Sequence, residues 1–403
     1  MTRHTLLWSL GLCLAVVATN RYDAAPLTRE FVPGDAYAYF TIAQSAPALP
    51  NEPILFHHGQ RLALPYLLGL IHLGTSVPLH RLFQLSVVLL ALAALLLLAG
   101  LLERLSIHRR QAALILTLVA FNPWAFRPYL TYPEMVNDLG FVFGLAIVLR
   151  GLFLGHGRAV LLGQLVASLS RQTGLLLLPL VAVWLWRDRG VWGQVAARTR
   201  VAIIGAAAVA AAVVYVATAR LAALFSGPDE NLEHLLGMWD WLLSGFDARV
   251  LVGFLIRALM LPLIPLALFI ATRGLPRRHG PGSAAVPLLL FGTVCIWSQP
   301  WLAGPDVTGG NAQRLMALGL LPFCLALAIT CRDRNVFTGA TGRGRLCVIG
   351  LLVALGSVHH LYVLAADPAV WHKIVFGVSY ALACAGCFAV AALEARGSAA
   401  GRR

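Results

Sequence analysis

The sequence predicts an all-α, polytopic transmembrane helical bundle of about twelve spans, with a juxtamembrane helix in the first outer loop. Three observations predict it. Apolar residues make up 59% of the 403-residue chain and charged residues only 12%, with a mean hydropathy of +0.78. A soluble domain carries roughly twice that charged share, and a water-facing surface cannot be built from so few charges once a core is filled. The apolar residues fall in runs of about 17–25, the length needed to cross about 30 Å of hydrocarbon. Finally, the net charge of +14 sits in short basic clusters that punctuate those runs rather than in one stripe, a membrane pattern. A soluble globular enzyme is excluded, and nucleic acid is not an expected partner.

Taken in order, the candidate spans are 5–19, 82–102, 111–126, 139–155, 159–169, 174–186, 201–219, 250–271, 285–303, 314–331, 346–364 and 373–393. The first follows Arg3 and His4 and ends near Ala18, so it reads as a signal peptide or an uncleaved anchor. The later spans favour the anchor. The fifth and sixth are half-length arms around SRQTG. The run 62–76 contains Pro65, Gly69, His72 and Gly74 and reads as an interfacial helix on the outer face, because a crossing there would put every later basic loop outside. Residues 1–403 thus form a single integral domain, with 20–81 as an outer loop and no soluble domain. The cysteines lie in or beside apolar runs. Cys384 and Cys387 spell CxxC inside a helix, which reads as packing rather than a redox pair.

With a cytoplasmic N-terminus, the inner segments collect Arg3, the cluster Arg104, Arg109 and Arg110, and further arginines through Arg332, Arg334, Arg343 and Arg345 to Arg403: 20 of the 31 basic residues. Of the 17 acids, Glu103, Asp188, Asp333 and Glu394 fall inside, leaving 17 − 4 = 13 outside or at the outer rim. The positive-inside rule then places both termini in the cytoplasm.

Polar residues at the rim of so apolar a protein need a partner or a purpose. The first outer loop holds Asp23, Glu30, Asp35, Glu52, His57, His58 and Arg61. In PGDAYAYFTIAQ, Asp35 falls at a helix N-cap and Tyr37, Tyr39 and Phe40 follow, so it reads as a cap or a functional carboxylate. In NPWAFRPYLTYPEMVND, Glu134 and Asp138 are one helical turn apart and share a face if Pro133 starts the helix. Arg171 in SRQTG and Arg314 after Gly309, Gly310 and Asn311 each read as a snorkelling residue or an anion ligand. Arg257, about eight residues into its span, is expected to face the bundle and pair there. His57 and His58 adjoin without metal-ligand spacing.

This order of features resembles the polytopic GT-C glycosyltransferases, among them the protein O-mannosyltransferases, the lipid A aminoarabinose transferases and polyprenyl-phosphate-mannose-dependent mannosyltransferases. The likeness covers residues 1 to about 190. GDAYAYFTIAQ resembles the family's acidic first-loop motif, which implies Asp35 as catalytic base. RLALPYLLGLIHLGTSVPLHR resembles its proline-containing juxtamembrane stretch with Arg61, Pro65, Gly74 and Arg81. YPEMVND resembles the second acidic motif, implicating Glu134 and Asp138 in orienting acceptor or a divalent metal ion. SRQTGLLLLP resembles the polar break between half-length helices, which sets Arg171 beside the donor.

The resemblance implies a polyprenyl-phosphate sugar donor, a glycan, lipid or protein acceptor, and a site on the periplasmic face of a bacterial cytoplasmic membrane serving the cell envelope. Arg61, Arg171 and Arg314 would hold the donor phosphate, and Tyr39 and His58 would contact substrate. The sequence departs from the family in lacking adjacent first-loop acids and a large soluble C-terminal domain. A transporter or flippase of lipid-linked or small polar substrates, working through Arg257 and the proline-broken helix, is the alternative, and a noncatalytic membrane scaffold is a third.

Overall fold

The chain enters the bundle through α1 (Arg3–Ala18), whose first turn is capped by the Thr2 side chain accepting the Thr5 N–H. A computed structural model describes residues 2–20, 34–229, 231–273, 282–308, 311–358 and 370–400. Asp23, Glu30 and Pro33 of the first loop, Gly309, Gly310 and residues 359–364 of the eleventh run lie outside them. The first loop then builds α2 (Gly34–Ser45), α3 (Phe56–Gly59) and α4 (Ala63–Thr75), each too short to cross a bilayer.

Next come α5 (Leu79–Arg104), α6 (Arg109–Ala120), α7 (Arg127–Thr131), a 3₁₀ turn over Pro133–Met135, and α8 (Val136–Leu154). The arms α9 (Gly157–Ser170) and α10 (Leu177–Arg187) are joined by a 3₁₀ turn over Gln172–Leu176. Then follow α11 (Ala197–Ala222), α12 (Asn231–Ser244), α13 (Ala248–Met260), α14 (Leu263–Arg273) and α15 (Val286–Thr308). The last are α16 (Ala312–Ala317), α17 (Leu320–Asp333), α18 (Ala340–Val358) and α19 (Val370–Ala400).

Helix accounts for 83% of the structure and no strand occurs among the described residues, so the protein is all-α as expected. Among the described residues, five helices are long and apolar enough to cross a membrane: α5, Pro133–Leu154, α11, Ser283–Thr308 and Gly377–Glu394 within α19. A sixth arises if α13 and α14, bent by 68°, form one broken span. On α11 the exposed positions include Val201, Val209, Val213 and Val216, which suits a face in hydrocarbon and not one in water.

Several expected spans are shorter than their apolar runs, and each break has a local cause. The 111–126 run stops at Ala120, and the Asn122 side chain then accepts the Trp124 N–H at 3.1 Å and donates to the Leu261 carbonyl at 3.1 Å. Pro123 reinforces the break, because the residue before a proline is pushed out of the α region. Pro262 removes a backbone donor where α13 meets α14. The tenth run divides at Leu318 and Gly319 into α16 and α17.

Arg257 does not face the bundle. The buried face of α13 carries Phe254 and Ala258, and Arg257 is exposed. α12 lies between expected spans. Its run NLEHLLGMWDWLLS mixes acids with apolar residues and is too short to register as a span, yet Trp241 is buried and Gly237 packs directly on the Ala303 carbonyl of α15.

Hydrogen bonds sort the connecting segments into two sets. In one, Thr2 meets Glu103, Arg332 meets the Leu105 carbonyl, Gln111 meets the Val336 carbonyl and Arg345 meets Glu394. In the other, Arg127 meets Thr19, Asp35 meets Arg314, Arg61 meets Gln172 and Gln60 meets Asn231. α1 runs from the first set to the second, so the sets occupy opposite ends of the bundle.

Small residues let α8 and α9 touch. A Cβ on Gly144 would stand 2.6 Å from the Ala167 nitrogen, and one on Gly163 would stand 2.6 Å from the Gly144 carbonyl oxygen. Such close backbone approach is typical of helix pairs in lipid. It also fixes where the ends of the two helices meet, which is where Asp138 and Arg171 lie. Gly163→Val is expected to cost about 1–3 kcal/mol by overpacking, read as a lower thermal midpoint of the purified protein in detergent, whereas Gly205→Val, where nothing crowds the new carbon, is expected to leave the midpoint near wild type.

Candidate functional site

Five separate stretches of chain bring charged side chains to one place. Asp35 sits in the first turn of α2 and Tyr39 one turn later, so both project from one face. α3 carries His58, and Arg61 follows its end. Asp138 lies in the first turn of α8. Arg171 is extended, at φ −153° and ψ 146°, where α9 stops and the 3₁₀ turn begins. Arg314 is on α16, which the left-handed Gly304 (φ 73°) helps to aim by kinking the end of α15.

Asp35 is shared by two partners. Its Oδ1 lies 2.8 Å from His58 Nε2, and its Oδ2 is ion-paired with Arg314 Nη2. It therefore does not act simply as a helix cap. Arg314 Nε also lies 2.9 Å from Asp138 Oδ2, at an angle too bent for a hydrogen bond. Asp138 is further held by Arg171 Nη1 and accepts the Tyr129 hydroxyl at 3.0 Å. Arg61 Nη1 donates to the Tyr39 hydroxyl at 2.9 Å, and its Nε donates to Gln172 Oε1 at 2.8 Å. Gln172 Nε2 in turn donates to the His57 carbonyl at 2.7 Å and to Gln60 Oε1 at 2.8 Å. Asn137 Nδ2 closes the frame by donating to the Arg61 carbonyl at 3.0 Å.

Arg61, Arg171, Arg314, Asp138 and His58 are all buried. Burial alone would raise the Asp35 carboxyl, but the Arg314 guanidinium, helped by His58 and Arg61, holds it well below the ordinary carboxylate range. Burial lowers the His58 imidazole from its usual value although Asp35 pulls the other way. With His58 neutral, the cluster joins three guanidinium groups to two carboxylates, 3 − 2 = +1. Arg171 Nε is buried without an acceptor. An arrangement with surplus cationic hydrogen-bond donors fits an anion.

The structure brings together Asp35, Tyr39, His58, Arg61, Asp138, Arg171 and Arg314. Glu134 stands apart. Helix α8 begins at Val136 and Glu134 belongs to the preceding 3₁₀ turn, so the expected shared face with Asp138 is lost. Glu134 is buried, and no side chain of the cluster bonds to it. Arg81 is exposed and donates to Gln84 at 3.1 Å, away from the cluster. The donor set does not fit a divalent ion: both cluster carboxylates are committed to arginines, and among the described residues no group of three His, Cys, Asp or Glu could hold a metal.

Gln60, Gln172, Asn137 and Tyr129 belong to the site without having been singled out in the sequence. Two of them could have been found by position, since Gln172 adjoins Arg171 and Asn137 adjoins Asp138. Searches of family models, curated proteins and solved structures find no match to this chain.

Removing one partner of a buried ion pair leaves an uncompensated charge and costs about 3–5 kcal/mol. Arg314→Met is expected to lower the thermal midpoint in detergent markedly, and adding Asp35→Asn to it is expected to recover part of the loss, because Asp35 is the carboxylate left without its guanidinium.

Proposed function

We propose that this chain is a GT-C-like membrane glycosyltransferase, which moves a sugar from a polyprenyl-phosphate donor to a hydroxyl acceptor at the outer face of the cytoplasmic membrane. One observation carries the reading. The arginine–carboxylate cluster lies where long apolar helices end, at the end of the bundle away from the Thr2–Glu103 contact, and on this reading that end faces outward. A lipid-linked sugar phosphate has its chain in the bilayer and its anomeric carbon at the rim, so it meets the protein at that level.

In this reading Arg61, Arg171 and Arg314 hold the donor phosphate and stabilise the charge that develops as it departs. The Asp35–His58 pair supplies the basic side of the site, and Tyr39 flanks it. Asp138 keeps Arg171 and Arg314 apart and aimed. Glu134, buried beside α2, helps to orient the acceptor. The fuller topology belongs to the same proposal: about twelve crossings in which half-length helices such as α9 and α10 combine, α4 lying on the outer face, and both termini in the cytoplasm.

The transporter reading draws on the 68° break between α13 and α14. It loses Arg257 as a working residue, because that side chain is exposed. Membranes holding the protein, given radiolabelled polyprenyl-phosphate sugars and candidate acceptors, separate the two readings, since only an enzyme consumes donor. Asp35→Asn is expected to lower turnover about 10²- to 10⁴-fold while the protein still purifies as a folded species. Near-normal transfer by that variant contradicts the site assignment, and donor movement without consumption favours transport.

A further inference from the structure

Asp35 is poorly placed to accept a proton. Its Oδ1 faces His58 Nε2 at 2.8 Å and its Oδ2 is committed to the Arg314 guanidinium. A carboxylate with both oxygens engaged by cationic or N–H partners is a weak base. The neighbouring imidazole is arranged differently. With Nε2–H donating to Asp35, the neutral ring must carry its lone pair on Nδ1, and among the described residues no hydrogen bond engages Nδ1. This is the relation in which a carboxylate fixes the tautomer of a histidine and leaves the other nitrogen to act as a base.

We propose that His58 is the catalytic base of the glycosyl transfer, accepting the proton at Nδ1, and that Asp35 is the positioning residue that orients it. This rests on the glycosyltransferase reading. The acceptor hydroxyl oxygen bonds to the anomeric carbon as the bond from that carbon to the phosphate oxygen breaks. The electron pair of the broken bond stays on the phosphate, against Arg314 and Arg171, and the hydroxyl proton passes to His58 Nδ1. The imidazolium so formed lies against the Asp35 carboxylate, and it returns its proton to water when the products leave.

The surroundings of the ring bear on its titration from every side. Asp35 and Tyr39 face it from α2, with the Tyr39 ring edge-on at 5.7 Å between centroids. His57 packs edge-on at 4.0 Å from the same short helix. Arg61 and Arg314 contribute positive charge that opposes protonation. Burial and these two guanidinium groups act against the charged form, and Asp35 acts for it. The balance keeps the ring neutral and able to accept a proton at neutral pH.

The test is the pH dependence of kcat/KM for donor consumption by the purified full-length protein, with donor binding measured separately. Wild type is expected to lose activity on the acid side with an apparent pKa below the ordinary imidazole value. His58→Gln is expected to lower kcat about 100-fold with donor affinity unchanged. His58→Gly is expected to regain activity when imidazole is added. Asp35→Asn is expected to retain an acid limb moved to lower pH, because the carboxylate that stabilises the imidazolium is gone.

Retention of wild-type rates by His58→Gln overturns the assignment, as does an acid limb in the carboxylate range that disappears in Asp35→Asn. Those results leave the glycosyltransferase reading standing. A wild-type protein that binds no donor and consumes none at any pH overturns that reading, and the role of His58 falls with it.

Discussion

A guanidinium group taken out of water must find anions, and three of them, from residues 61, 171 and 314, converge at one end of this bundle. The cost of desolvating each is several kcal/mol, so none would be tolerated in its place without partners. Asp35 and Asp138 provide the charge, and Gln172 and Tyr39 accept hydrogen bonds from the Arg61 guanidinium. Meeting this requirement ties α2, α3, α8, the break after α9 and α16 together, although they span nearly 280 residues of sequence. The same arrangement leaves the cluster one positive charge in excess, which is the physical basis for expecting an anionic ligand.

The helices serve that cluster in an identifiable way. The close contact of Gly144 with Gly163 and Ala167 sets the register of α8 against α9, and their ends deliver Asp138 and Arg171. The kink at Gly304 and the short α16 deliver Arg314. Two breaks in the apolar helices, after α9 and between α15 and α17, therefore coincide with side chains of the charged cluster. This is expected in a membrane protein, where irregular backbone is tolerated only where it is buried in protein or lines a cavity.

Much of this was legible in the sequence because charge is rare in it. Asp35, Asp138, Arg171 and Arg314 stand out as ionised groups beside apolar runs, and such groups have few reasons to be there. The all-helical architecture was legible from the length of the apolar runs. Pairing was not: nothing in the spacing says that Arg314 meets Asp35, because that contact depends on three-dimensional packing of distant helices. Glu134 was expected on the face of Asp138 with Pro133 starting the helix, but α8 starts three residues later, at Val136, and Glu134 falls in the preceding 3₁₀ turn. Arg257 misled because depth along a helix does not reveal which side is buried. Gln60, Gln172 and Asn137 were silent because neutral amides carry no signature until their partners are known, and α12 was silent because its apolar run is short and interrupted by acids.

The central claim is that Asp35 and Arg314 are directly coupled in the folded protein, and a double-mutant cycle measures that coupling. Thermal or chemical unfolding in one detergent would be compared for wild type, Asp35→Asn, Arg314→Met and the double variant. The account predicts a coupling energy of about 1–3 kcal/mol, with the double variant less destabilised than the sum of the singles. Effects that add to within about 0.5 kcal/mol would contradict it, because the two side chains would then not share a site.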